Sequence, residues 1–166
     1  AWADKWEGRV HQTPLRMVTL AMREPVGVLG IACDDAAPLL GFISAIAPAL
    51  ALGNAVIVVP GERAPIVATD FYQVADTSDL PAGALNIITG LRSELVPTLA
   101  SHDDIEGVWY FAPDGGGADV ERAAAANMKR TWIAGPRDWT DARQAAGEEF
   151  LRHATEIKNI WVPYGE

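Results

Sequence analysis

Residues 23–62 constrain the fold more tightly than any other part of this 166-residue chain. They read REPVGVLGIACDDAAPLLGFISAIAPALALGNAVIVVPGE: a β-rich run at 26–32, a long apolar segment, Gly53-Asn54, and a second run rich in Val and Ile at 55–59. That order is strand, helix, strand. The apolar segment 37–52 is nearly uncharged, so it has to be weighed as a membrane span. It is too short for a comfortable crossing, carries Gly41, Ser44 and Pro48, and is bounded by Asp34-Asp35 and by Gly53-Asn54. The acidic pair suits a helix N-terminus and Gly-Asn suits a C-terminal stop. A helix apolar on most sides is a buried interior helix, and no membrane partner is expected.

The same alternation continues along the chain, which is the pattern of a parallel sheet with crossover helices. Strands are predicted over 26–31, 55–59, 84–88, 108–111 and 131–133, with helices over 37–52, 64–76, 94–101, 118–128 and 140–155. Two apolar ribbons outside this core, 15–21 and 157–162, read as strands of a projecting flap spanning about 8–22 and 157–164. The fold class is therefore α/β. With 49% hydrophobic and 21% charged residues, a chain of this length buries one sizeable core, so residues 1–166 are expected to form one domain.

A net charge of −9 disfavours nucleic acid and anionic membrane surfaces, because no basic stripe is present to displace counterions from phosphates. One cysteine cannot make an internal disulfide, and the N-terminus lacks the basic-then-apolar order of a signal peptide, so the cytoplasm is the default compartment. Gly115-Gly116-Gly117 follows a strand and opens a helix, where phosphates bind in α/β folds. It lacks the Gly-x-Gly-x-x-Gly spacing, and Asp114 and Asp119 would repel a phosphate, so it reads as a flexible turn. His102-Asp103-Asp104 are adjacent loop residues with no second His or Cys cluster, which reads as a solvated helix end, and no metal is expected. Ser44 and Ser101 have no nucleophile-elbow context. Cys33, at the end of the first parallel strand, reads as a small core residue.

Several segments together resemble the aldehyde dehydrogenase superfamily: Glu24-Pro25-Val26-Gly27-Val28, Pro38-Leu39-Leu40, Ala47-Pro48-Ala49-Leu50, Gly53-Asn54, and Leu80-Pro81-Ala82-Gly83-Ala84-Leu85-Asn86-Ile87-Ile88-Thr89-Gly90. The similarity covers roughly the first four-fifths of the chain. It implies a Rossmann-like nucleotide-binding fold whose hairpin and C-terminal strand build subunit contacts.

The departures from the family bear on function. Ala36 stands where the family has the Asn that helps hold the oxyanion, and it has no side-chain donor. Val59 replaces the Lys that bonds the adenosine ribose. Pro113 replaces a Ser whose hydroxyl faces the pyrophosphate, and proline offers neither hydroxyl nor amide hydrogen. Ala134 aligns with the general base. The nucleophilic Cys of the family belongs to a catalytic lobe that the residues after Gly135 do not resemble. No catalytic residue is therefore assigned. Glu62 is the surviving cofactor-facing side chain, a lone acceptor for a ribose hydroxyl.

The ending Asn159-Ile160-Trp161-Val162-Pro163-Tyr164-Gly165-Glu166 looks like that of the shortened, non-catalytic second module of the two-module family 16 enzymes. The start at Ala1-Trp2-Ala3-Asp4-Lys5, inside what the family makes a helix, implies a piece of a longer polypeptide. By that resemblance the parent oxidises aldehydes with NAD, and this chain itself takes no cofactor. Trp2, Trp6 and Trp161 lie in the flap and its approach, where surplus aromatics and strand edges point to a buried surface. A homodimer, or docking onto a catalytic module through 10–22 and 157–164, is expected. The other reading is a residual NAD-binding regulatory module or half of a split enzyme.

Overall fold

The computed structural model describes residues 3–164. Its first two strands, β1 (Arg9–His11) and β2 (Met17–Pro25), are antiparallel, with Val10 opposite Leu20. Gly27, at φ +128, then turns the chain out of this ribbon and into β3 (Val28–Ala32). The predicted strand over 26–31 thus begins two residues late, because Pro25 still pairs with Thr155 in the flap and the left-handed turn at Gly27 follows it.

The next elements follow the predicted alternation: α1 (Pro38–Ala51), β4 (Ala55–Val59), α2 (Pro65–Asp76), β5 (Leu85–Ile87), α3 (Arg92–Ser101), β6 (Gly107–Tyr110), α4 (Gly117–Ala124) and β7 (Arg130–Ile133). The five strands β3 to β7 form one parallel sheet in the order β5-β4-β3-β6-β7. Strand alternation sends their side chains to opposite faces, and both faces are covered. On one face Leu29, Ile31, Val56, Val58, Trp109 and Phe111 meet Phe42, Ala45, Ile46 and Ala49 of α1. On the other, Ala32, Val59, Val108 and Tyr110 meet Val96, Leu99 and Ala100 of α3 and Val120 of α4.

Helix α1 forms where its sequence predicts, but it is not interior on all sides: Gly41, Phe42, Ala45, Ile46 and Ala49 are buried, while Leu39 and Leu40 are half exposed, because an outer helix covers a sheet with one face only. Gly53, at φ +90, ends it as a left-handed cap. Among the described residues, no helix is long and apolar enough to cross a membrane. Asp34 and Asp35, however, do not cap α1, whose N-cap is Ala37 without a side-chain bond. Both carboxylates turn elsewhere, as described below. Asn54 is buried and ties three elements together. Its Oδ1 accepts from the Gly27 amide at 3.0 Å, while Nδ2 donates to the carbonyls of Ala49 and Ala154, each at 2.9 Å.

Two predicted helices come out shorter. The one over 118–128 ends at Ala124 and tightens into a 3-10 turn, Ala125–Asn127, closed by Met128 at φ 55. The one over 140–155 is broken at Ala146, which is extended, and Gly147, at φ +115, into α5 (Ala142–Ala145) and α6 (Glu148–Ala154). Thr155 then begins β8 (Thr155–Pro163) instead of ending a helix, and β8 pairs with β2 along its whole length. The flap is thus a three-stranded antiparallel sheet, β1-β2-β8, with β8 on an edge. Val10, Val18, Met22, Ile157, Trp161 and Val162 are exposed on it. Trp6 lies against its root, donating from Nε1 to the Thr155 hydroxyl at 2.9 Å and carrying the Arg23 guanidinium over its ring. Trp2 falls outside the described residues.

Candidate functional site

In an open parallel sheet, ligands bind beyond the carboxyl ends of the strands, at the point where successive strands leave in opposite directions. Here β3, β4 and β5 proceed to one side and β6 and β7 to the other, so that point lies between β3 and β6. The loops at this end carry Cys33 to Ala36 after β3, Pro60 to Arg63 after β4, and Phe111 to Gly116 after β6. The first two loops are pressed together. A Cβ on Gly61 would stand 2.5 Å from the Asp34 carbonyl oxygen, which leaves no space for any other residue there.

The backbone donors of these loops are bonded by the chain's own carboxylates. Asp34 Oδ1 accepts from the Ala36 amide at 3.0 Å, Asp35 Oδ1 from Arg63 at 2.9 Å, Asp114 Oδ1 from Gly116 at 3.0 Å, and Glu62 Oε1 from Arg92 at 2.5 Å. Arg92 is buried. Its Nη2 donates to the Cys33 carbonyl at 2.8 Å and pairs with Asp35 at 3.3 Å, and Nη1 lies 3.8 Å from Asp114. Burial alone would raise the pKa of Asp35, but the Arg63 amide and the Arg92 guanidinium outweigh it and hold the carboxyl below its usual range. Asp114 is likewise held low against its burial, by the Tyr110 hydroxyl, the Gly116 amide and Arg92. Burial, then the bond to Asp114, pushes the Tyr110 hydroxyl well up.

Beside this network a cavity of about 580 Å³ opens between α3 and α4. Leu91, Val96, Pro97 and Ala100 form one wall and Val120 and Ala123 the other, with Glu62, Asp114 and Asp119 contributing carboxylates. Arg92 also lines the cavity, and three carboxylates against one guanidinium disfavour a phosphate.

Each sequence-assigned position has a place. Glu62 lines the cavity, but one of its oxygens caps the first turn of α3. The methyl side chain of Ala36 offers no hydrogen bond, Val59 is buried in the core, Pro113 is exposed on the loop after β6, and Ala134 is buried just beyond β7. Cys33 is a buried core residue, and burial followed by the Asp34 charge pushes its thiol up to about 12. His102 ends α3, where its carbonyl accepts from Lys129 Nζ. Among the described residues, no three His, Cys, Asp or Glu side chains gather as a metal would require. In the triple-glycine turn, the Gly116 amide donates to Asp114.

Sequence reasoning missed Arg92, because it began α3 at Glu94 and left Arg92 in a loop. One local signal was present. A cation in the first turn of a helix opposes the helix dipole, and it persists where carboxylates from elsewhere surround it. Trp139 was missed as well. It is buried, donates from Nε1 to Asp34 Oδ2 at 2.9 Å, and packs its ring on Gly41 and Phe111. With Phe150 it closes the aromatic cluster of Trp109, Phe111 and Trp132.

The aldehyde dehydrogenase family model matches residues 1–135. Among curated relatives, the NADP/NAD-dependent aldehyde dehydrogenase PuuC of Escherichia coli is 35% identical over 131 residues, which is 78% of this chain and 26% of that protein. Aldehyde dehydrogenase 1A1 of Equus caballus is 35% identical over 133 residues, 80% of this chain and 26% of its own length. This chain therefore spans about a quarter of the curated relatives it matches. Among solved structures, the P. syringae indole-3-acetaldehyde dehydrogenase AldA, in a complex with NAD+, superimposes with a TM-score of 0.75 at 32% identity, covering 80% of this chain and 27% of that one. A Burkholderia cenocepacia structure described as a putative aldehyde dehydrogenase gives 0.74 at 28% identity, covering 78% and 26%.

Proposed function

This chain belongs to the aldehyde dehydrogenase family, and on that footing we propose that it is a non-catalytic domain serving the assembly of an NAD-dependent aldehyde dehydrogenase. The parent polypeptide, in this proposal, resides in the cytoplasm and oxidises aldehydes to carboxylic acids with NAD. This chain supplies architecture, in the manner of the second module of the family 16 enzymes.

One observation carries the proposal. The family match stops at residue 135, and the chain beyond it turns back and buries Trp139 and Phe150 against its own sheet and α1. The α1 face of the sheet is thereby covered by the chain's own residues. The sole thiol, Cys33, is buried in its protonated range, and Ala134 and Ala36 have no proton to move and no side-chain hydrogen bond to offer. The exposed apolar side chains of β1, β2 and β8 and the edge of β8 supply the assembly surface, for a second copy or for a catalytic module.

A second reading has its own support. The cavity between α3 and α4 remains open, with Glu62 on its wall, as residual NAD binding by a regulatory module or half-enzyme would need.

Light scattering combined with an NADH assay tests the proposal. The expected result is a dimer mass at micromolar protein, reduced towards a monomer by Trp161→Lys, with no NADH formed from NAD and an aldehyde. NADH production by the purified chain would overturn it. A monomer at high micromolar concentration would remove self-association and leave docking onto a catalytic module.

A further inference from the structure

The crevice between β3 and β6 is where a parallel sheet receives an anionic ligand, because loop amides and helix N-termini converge there. In this chain those donors face carboxylates that belong to the chain itself. Four amides, of Ala36, Arg63, Arg92 and Gly116, are bonded by Asp34, Asp35, Glu62 and Asp114 respectively. Between them lies a cation. The Arg92 side chain, 11% exposed, reaches Asp35 on the β3 side at 3.3 Å and Asp114 on the β6 side at 3.8 Å, and anchors on the Cys33 carbonyl at 2.8 Å. One guanidinium therefore spans both walls of the crevice. Its carboxylates are fixed in turn by other groups, Asp35 by the Arg63 amide and Asp114 by the Tyr110 hydroxyl.

We propose that Asp35 and Asp114 act as built-in substitutes for a phosphate, committing Arg92 and the loop amides to internal bonds and locking the crevice against pyrophosphate-bearing ligands. Neutralising these two carboxylates would leave an anion the buried guanidinium of Arg92 and two amides, that of Arg63 on the loop after β4 and that of Gly116 at the start of α4. The lock rests on the reading of this chain as non-catalytic and supplies a physical reason for it, since Arg92 Nη2 and four amides around the crevice are already bonded to the chain's own oxygens. Ligand charge is then the discriminating property. Phosphates are repelled at the mouth, and the adjoining apolar slot is left to uncharged groups.

The test is a calorimetric titration of the 166-residue chain and its D35N/D114N variant with inorganic pyrophosphate, repeated at raised salt. The unaltered chain is expected to give no saturable heat at millimolar pyrophosphate. The double variant is expected to bind about tenfold more tightly or better, with affinity falling as salt rises. Adding Arg92→Leu to the double variant should abolish the gain. Equal binding by the unaltered chain and the variant, or a gain that survives Arg92→Leu, would overturn the lock. Circular dichroism checks the fold. If the double variant does not fold, Asp114→Asn alone carries the same test, since the Asp114 side chain is 48% exposed. A failed lock leaves the absence of NADH production untouched, whereas NADH formed by the unaltered chain would sink the non-catalytic reading whatever the titration shows.

Discussion

Replacing Trp139 with alanine asks whether the residues past 135 belong to the core or merely lie on it. The indole is 4% exposed, its ring centroid stands 5.3 Å from that of Phe111, and a Cβ on Gly41 would lie 3.2 Å from its edge. Truncating a buried aromatic of this kind costs about 3–5 kcal/mol. Asp34, itself 4% exposed, also loses its indole donor and keeps only the Ala36 amide. A hydrogen bond to a charged group contributes about 1.5–3 kcal/mol. The two effects share one side chain and are not additive, so the expected loss is about 5 kcal/mol. That is a third or more of the roughly 5–15 kcal/mol available to a domain. For a domain of this size it corresponds to a fall in Tm of about 10–20 °C. Urea unfolding followed by far-UV circular dichroism measures it, with Trp139→Phe, which keeps a ring but no donor, expected to lose about half as much. A loss below about 1 kcal/mol for Trp139→Ala, at unchanged slope, would refute the packing account and make 136–154 a peripheral strap.

Other perturbations probe separate parts of the structure. Glu62→Ala removes the carboxylate that caps the first turn of α3 and should cost about 1 kcal/mol, read from the urea midpoint. Gly61→Ala places a Cβ 2.5 Å from the Asp34 oxygen, so the loops after β3 and β4 must part. A stability loss of about 1–3 kcal/mol is expected, and a neutral result would show that these loops are not in close contact. His153 stacks on Trp132 with centroids 4.0 Å apart, and burial holds its pKa below the ordinary 6.5. The folded state thus favours the neutral ring, so its contribution is fully present above pH 6.5 and is lost as the pH falls through the lowered folded value. His153→Gln should flatten the stability profile on the acid side of 6.5, and an unchanged profile would assign the slope to other groups.

The parallel sheet was legible because its signals are local. Runs such as Ala55–Val59 and Gly107–Tyr110 are short, apolar and punctuated by glycine, and Gly53 after α1 is a stop that sequence neighbours alone define. The helix over 140–155 misled because its composition suits a helix, whereas Gly147 adopts a left-handed conformation that a helix cannot continue. The acidic pair misled for a different reason. Asp34 and Asp35 sit where a cap belongs, yet their partners, Trp139 and Arg92, lie far along the chain and meet them only in the folded state. The same holds for the candidate site. Glu62 was found by its resemblance to the family, and the commitment of its carboxylate to the Arg92 amide is a tertiary fact that no local pattern encodes.

The root of the flap has a mechanical meaning. Where β2 and β8 meet the parallel sheet, the Thr155 hydroxyl accepts from the Trp6 indole and donates to the Leu151 carbonyl, and the Thr155 carbonyl accepts from Arg130 of β7. One residue earlier, the Ala154 carbonyl takes the Val26 amide and the buried Asn54 side chain, which also grips the end of α1. The ribbon is thus clamped at its base and cannot pivot without breaking buried hydrogen bonds. A partner that grasps the far end of β8 holds a stiff lever, and the load it applies is delivered to α1 and the central strands.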